Sequence, residues 1–307
     1  MNTVAVGHHN LFQKCVTDPL VALVVLVVLG IFKILPLPVG RKVGRALGRF
    51  VGCFTLKRNR WGMINLHIAF PEKSEAQRRQ ILKNMWAHFG QLMAELPHLE
   101  KVVRKAKFEG LENLQKAYTN GKGGFVCSAH FGNWELPFAP YVAPDFTTNP
   151  VYRKANNYFL NKFLFERRPG VKIPKGAQGA RLMIDLLKKG QFISILCDQK
   201  LREGMVIPFF GMPAYTATAM AGMAIKMQVP ILMSKSVFLK GKYHLIFSKP
   251  LPIPQKKSKQ EAEYALMLQV NQIYEQWIKA NPEQWLWIHR RFDRSVYENK
   301  GILRKSK

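Results

Sequence analysis

Acidic residues are scarce in this chain: 19 Asp and Glu stand against 47 Lys and Arg, a formal net charge of +28 over 307 residues. A surplus of that size implies an anionic partner, whether nucleic acid, an anionic membrane surface or an acidic protein. Cysteine is sparse too. Cys15, Cys53, Cys127 and Cys197 lie far apart, with no CxxC and no zinc-ligand spacing, so no metal site is expected from them. They read as reduced thiols, two of them in buried strands. No small-residue cleavage site follows the N-terminal apolar run, which therefore does not read as a removed signal peptide. The Lys and Arg residues are dispersed, no nucleic-acid-binding module is recognisable, and no internal repeat is evident; nucleic acid is not an expected partner.

A chain of this length buries a full core, as one large domain or two small ones. Residues 20–32 are uncharged and almost wholly apolar, followed by Lys33 and Ile34-Leu35. The run is shorter than the roughly 20 residues of a full span, although Lys33 can snorkel toward head groups. It reads as a single membrane anchor, spanning or half-inserted, with a buried core helix as the other reading. One basic residue, Lys14, precedes it, whereas Arg41, Lys42, Arg45, Arg49, Lys57, Arg58 and Arg60 follow. Positive residues stay cytoplasmic, which puts the body of the protein on the cytoplasmic side. Arg41, Arg45 and Arg49 recur every fourth residue, with Val43, Leu47, Phe50 and Val51 roughly opposite: a basic amphipathic stripe suited to an anionic bilayer, or a solvated helix face. Residues 1–56 are thus expected as an anchor and basic helix, and residues 57–307 as a separate domain.

In that second part, helices and strands alternate. Residues 59–98 carry helical periodicity, with Ser74 heading one segment. Strands are expected at 149–153, 171–173, 191–197, 231–239 and 243–248, and helices at 111–119, 157–168, 179–189, 216–228 and 261–280. This pattern predicts an α/β fold with a mainly parallel central sheet flanked by helices. A Pro/Lys-rich linker covers 251–259. The tandem tryptophans in Trp285-Leu286-Trp287, followed by Arg290-Arg291, suit a membrane interface or a packed C-terminal core segment.

The stretch around which the rest is organised is Cys127-Ser128-Ala129-His130-Phe131-Gly132-Asn133-Trp134-Glu135. A Gly-rich turn and a short apolar strand precede it, so His130 falls at a strand's C-terminal end, where ligand and catalytic groups of open α/β sheets gather. His130 is a natural general base near neutral pH. A bend at Gly132 can return the Glu135 carboxylate to the imidazole, giving a base with an orienting acid. The other reading is a helix cap, with Asn133 as N-cap and Glu135 in the first turn. Arg153, Asp198 and Gln199 also fall at strand ends.

These residues carry a family resemblance. His130-Phe131-Gly132-Asn133-Trp134-Glu135 resembles the His-X4-Asp/Glu motif of the lysophospholipid acyltransferase superfamily, in the variant of the late (secondary) acyltransferases of lipid A biosynthesis. Val151-Tyr152-Arg153 with Asn156-Asn157, and Arg167-Arg168-Pro169-Gly170, resemble that family's second block. Asp198-Gln199 with Gly204 and Pro208-Phe209-Phe210-Gly211 resembles its third, and the run from Pro282 to Arg291 its C-terminal signature. The resemblance covers nearly the whole chain. Many members have an acidic residue or Asn after Asp-Gln, where this chain has Lys200.

The resemblance implies O-acyl transfer without metal or other cofactor. A medium-chain fatty acyl group would pass from acyl carrier protein to the 3-hydroxyl of an acyl chain on a lipid A precursor, at the inner membrane. His130 would be the base and Glu135 its partner. Asn133, Arg153, Arg168, Asp198 and Gln199 would bind substrate, Arg153 at a phosphate or the developing oxyanion. A glycerophospholipid or aminolipid acceptor is the alternative that Lys200 keeps open.

Overall fold

The computed structural model describes residues 17–139, 142, 146–152, 157–162 and 170–298. The apolar run and the basic stretch after it form two consecutive helices, α1 (Asp18–Ile34) and α2 (Leu37–Phe54). They break at Pro36, whose extended backbone and missing N–H end one helix and open the next. Two more helices follow, α3 (Leu56–Ala69) and α4 (Glu75–Glu95). The Ser74 side chain and Gln77 cap α4 reciprocally, as the Ser-x-x-Gln spacing requires.

The next elements are α5 (Leu99–Arg104), β1 (Lys107–Glu109), α6 (Leu111–Thr119), β2 (Gly124–Ser128) and β3 (Thr148–Tyr152). Then come α7 (Tyr158–Leu160), β4 (Ile173–Pro174), α8 (Ala177–Lys188) and β5 (Phe192–Leu196). A hairpin of β6 (Met205–Phe209) and β7 (Met212–Thr216) precedes α9 (Ala219–Met227), β8 (Ile231–Leu239) and β9 (Lys242–Pro250). The long helix α10 (Lys259–Ala280) and the short α11 (Arg294–Glu298) end the described chain.

Seven strands form one sheet in the order β1-β9-β8-β2-β5-β3-β4. Every pairing is parallel except β8 with β9. The expected mainly parallel α/β sheet is therefore present. All five residues of β2 are buried, as a central parallel strand covered on both faces demands. Phe125 and Cys127 enter the core beneath α4, α8, α9 and α10, and Val126 enters a second core with Leu114, Leu232 and Leu245 on the opposite face.

Helix α2 packs on α4 by a stripe absent from the sequence reading. Gly40, Gly44, Gly48 and Gly52 are its buried residues, one per turn. A Cβ on Gly48 would come within 2.1 Å of the Trp86 carbonyl oxygen, and one on Gly90 within 2.0 Å of that of Gly44. Only bare backbone permits this approach. The stripe also corrects the expected face of α2. Arg41 donates to Glu95 Oε1 at 2.7 Å and Arg45 to Gln91 Oε1 at 3.1 Å, so both turn toward α4. The outward face holds Val43, Leu47, Phe50, Val51 and Phe54, all exposed.

Helix α1 does not have the length of a transmembrane anchor. Its 17 residues rise about 25 Å against a hydrocarbon core of about 30 Å. Among the described residues no helix is long and apolar enough to cross a membrane.

Candidate active site

Strands β2 and β5 lie side by side in register, Ser128 opposite Leu196. Two residues past each paired end stand His130 and Asp198. The equal offset brings them together: Asp198 Oδ1 is 2.8 Å from His130 Nδ1, and Oδ2 accepts the His130 backbone N–H at 2.9 Å. The expected convergence of polar residues at strand ends is realised by this pair. The resemblance implies a substrate-binding role for Asp198; the structure puts its carboxylate on the imidazole. Because a carboxylate only accepts, Nδ1 carries the proton, and in the neutral ring the lone pair is on Nε2.

Asp198 is a buried carboxylate, its side chain 1% exposed. Burial alone would push its pKa up; the His130 charge, the hydrogen bonds from the His130 ring and backbone, and that from Trp285 together hold it below the usual carboxylate range. Trp285 Nε1 donates to Asp198 Oδ2 at 2.9 Å. Trp285 and Trp287 are both buried, so the tandem tryptophans are core residues and do not face a membrane interface.

The segment after α10 closes over the loop bearing His130. Leu286 N–H donates to the His130 carbonyl at 3.0 Å, Gly132 N–H to that of Gln284 at 2.8 Å, and Phe131 bridges Trp285. Gly132 has φ +59°, and any Cβ there would lie 1.7 Å from the Ser236 carbonyl oxygen, so the bend must be glycine. Asn133 is buried. Its Nδ2 donates to Glu95 Oε2 at 2.9 Å, and its side-chain Oδ1 accepts the Glu135 N–H at 3.3 Å. Asn133 thus positions the loop and caps the turn. Glu135 is half-buried at the start of a short 3-10 turn, Leu136–Phe138. The capping reading accounts for Asn133 and the Glu135 backbone, whereas His130 takes a different carboxylate. Arg153 and Arg168 lie outside the described residues.

Gln199 reaches both His130 and a residue that sequence reasoning left unassigned. Its amide nitrogen lies 3.1 Å from His130 Nε2 and 3.1 Å from His289 Nε2. Burial first, and the His130 charge second, lower the His289 pKa to about 4, so that imidazole is neutral at pH 7. No spacing rule links His289 to His130; only the C-terminal signature as a block pointed there.

The site opens into a cleft of about 830 Å³, lined by Gln199 and His289 together with Arg58, Lys200, Arg202 and Arg290. Lys200 pairs with Asp293 at 2.9 Å and lies over the Tyr215 ring. The guanidinium groups of Arg58 and Arg290 both stack on Trp61, at 5.2 and 4.9 Å from its centroid. Weakly hydrated guanidinium groups on an aromatic floor suit phosphate and carboxylate ligands.

The family model for bacterial lipid A biosynthesis acyltransferases matches residues 12–294. Among curated proteins, the chain is similar to the lipid A biosynthesis palmitoleoyltransferase of Escherichia coli K12, 28% identical over 275 residues, covering 84% of this chain and 86% of that protein. The lauroyltransferase of the same organism is 26% identical over 270 residues, covering 84% and 86%. The myristoyltransferase is 25% identical over 254 residues, covering 79% and 77%.

Proposed function

Because the chain belongs to the bacterial lipid A biosynthesis acyltransferases, we propose that it moves a medium-chain acyl group from an acyl carrier protein thioester to a hydroxyl on a lipid A precursor, with His130 as base. The observation that carries this reading is the His130–Asp198 pair, whose Nε2 lies against Gln199 at the edge of a cationic cleft. The acceptor hydroxyl gives its proton to Nε2 as its oxygen attacks the thioester carbonyl. The C–S bond then breaks and the imidazolium returns the proton to the departing thiolate. Asp198 holds Nδ1–H and offsets the positive ring, the role the sequence suggests for Glu135. No covalent enzyme intermediate is needed. The cleft arginines and Lys200 would take the anionic groups of the acceptor, and the net charge of +28 would draw the acidic carrier. Arg153 and Arg168 keep the substrate-binding roles the resemblance implies.

The exposed apolar face of α1 and α2, flanked by Lys33, Lys42, Arg49 and Lys57, would rest in the cytoplasmic leaflet of the inner membrane. The anchor is then interfacial, and the cationic cleft opens on the cytoplasmic side where the carrier resides.

Mass spectrometry of lipid A from cells with and without the gene tests the assignment. A secondary acyl chain lost with the gene, and restored by the wild type but not by His130→Ala, is the expected result. Unchanged lipid A with an altered glycerophospholipid profile would move the acceptor to that class.

A further inference from the structure

We infer that Gln199, anchored by His289, decides whether the base of this site acts on an alcohol or on water. The inference rests on His130 being the base. Nδ1–H is committed to Asp198, so the only productive lone pair of His130 is on Nε2. That lone pair is not open in the resting protein. The Gln199 amide nitrogen sits 3.1 Å away, also 3.1 Å from His289 Nε2, and its two hydrogens suffice for both ring nitrogens.

The amide orientation follows from the partners. With Nδ1–H given to Asp198, Nε2 of the neutral His130 ring needs a donor, which the amide nitrogen supplies and the amide oxygen cannot. His289 must then be neutral with its proton on Nδ1, in keeping with its burial. The anchor itself is fixed from behind: Asn65 donates to the His289 carbonyl at 2.7 Å and to that of Trp287 at 2.6 Å.

A capped base cannot deprotonate a water that wanders into the cleft. An acceptor bound through the cationic groups delivers its hydroxyl at high effective concentration and replaces the amide at Nε2. Gln199 keeps its second hydrogen bond to His289 and pivots on it. Uncapped, the same chemistry runs on water: the proton passes to Nε2, the water oxygen bonds to the thioester carbonyl carbon, the C–S bond breaks, and the thiolate is protonated by the imidazolium. The products are free fatty acid and carrier thiol in place of transfer.

The test compares transfer with hydrolysis, using dodecanoyl–acyl carrier protein with and without purified lipid A precursor. Gln199→Ala and His289→Ala should each raise the ratio of free fatty acid to transferred acyl group by roughly 2- to 10-fold, the worth of one neutral hydrogen bond. His289→Gln, whose amide oxygen can still accept from Gln199, should restore the ratio. A role in pocket shape alone lowers both products together and leaves the ratio fixed, which overturns the inference. Carbethoxylation of His130 gives a second readout that needs no substrate: it should be faster in Gln199→Ala than in wild type, and an equal rate counts against the cap. His130→Ala separates the two claims. If it retains both products the base assignment fails, whereas loss of both with an unchanged ratio in the Gln199 and His289 variants refutes only the cap.

Discussion

The floor of the site and the α1–α2 layer are both rich in Val, Leu and Phe, yet they use them in opposite senses. At the floor, Phe125, Val126, Phe192 and Ile193 are fully buried, and the polar groups at the strand ends are paired. In α2 the arrangement is inverted: glycines face the protein and the large apolar side chains face out. A helix stabilised by packing alone would bury its apolar stripe. One that buries glycines gains close backbone approach and leaves its apolar surface for another apolar phase, the bilayer in our reading. In that reading the exposed apolar side chains form an interface, since contiguous patches of this kind are rare on free surfaces.

This contrast can be broken most severely at the floor. His130→Ala should reduce turnover on the order of 10²- to 10⁴-fold with the protein folded, and Asp198→Asn should fall in the same range. Glu135→Gln measured beside them discriminates the two carboxylates: a smaller loss from Glu135 supports Asp198 as the orienting group, and an equal or larger one would return that role to Glu135.

In the helical layer the greatest effect is expected inside. Gly48→Leu or Gly90→Leu must separate α2 from α4 and should cost at least 1–3 kcal/mol, the scale of overpacking, read as a fall in melting temperature in detergent. The outer face should behave in the reverse way. Leu47→Ser, Phe50→Ser and Phe54→Ser together should leave melting temperature nearly unchanged while weakening sedimentation with anionic vesicles; each fully inserted side chain is worth about 1.5–3 kcal/mol. Unaltered vesicle binding would show that the apolar face meets something other than lipid.

Acid should affect the interior before the surface. Burial lowers both His88 and His289 from 6.5 to about 4. Between those pH values the unfolded chain binds protons that the folded one excludes, so stability is fully present above about pH 6.5 and declines as pH falls toward 4. Melting temperatures from pH 7 to 4.5 should decline, and His88→Leu should flatten the slope. The smallest effect is expected from the exposed ion pair of Glu75 and Arg79: Arg79→Gln should change stability by under about 1 kcal/mol.

Particular elements show what could be read in advance. Alternating apolar strands and helices made the parallel sheet legible, because burial on both faces leaves a continuous apolar run such as that of β2. The β6–β7 hairpin was missed. Its turn residues, Phe210 and Gly211, have φ of +49° and +71°, the primed-turn pattern, but Phe is an uncommon signal for it. The α2 glycines recur at four-residue spacing in the sequence, but Gly40, Gly44 and Gly48 each stand beside an arginine whose charge is the stronger local signal.

The sequence by itself determined the sheet, the place of His130 at a strand end, and the family, because periodicity and contiguous motifs are local properties of a chain. Tertiary structure alone decided which carboxylate meets the imidazole. Asp198 is 68 residues from His130 and reaches it through the β2–β5 register. The same holds for His289 on Gln199, at a separation of 90 residues, and for Glu95, which is fully buried and joins Arg41, Asn133 and Tyr243 from three distant segments. Contacts of this kind depend on strand order and on which helix covers which face, and spacing along a single chain encodes neither.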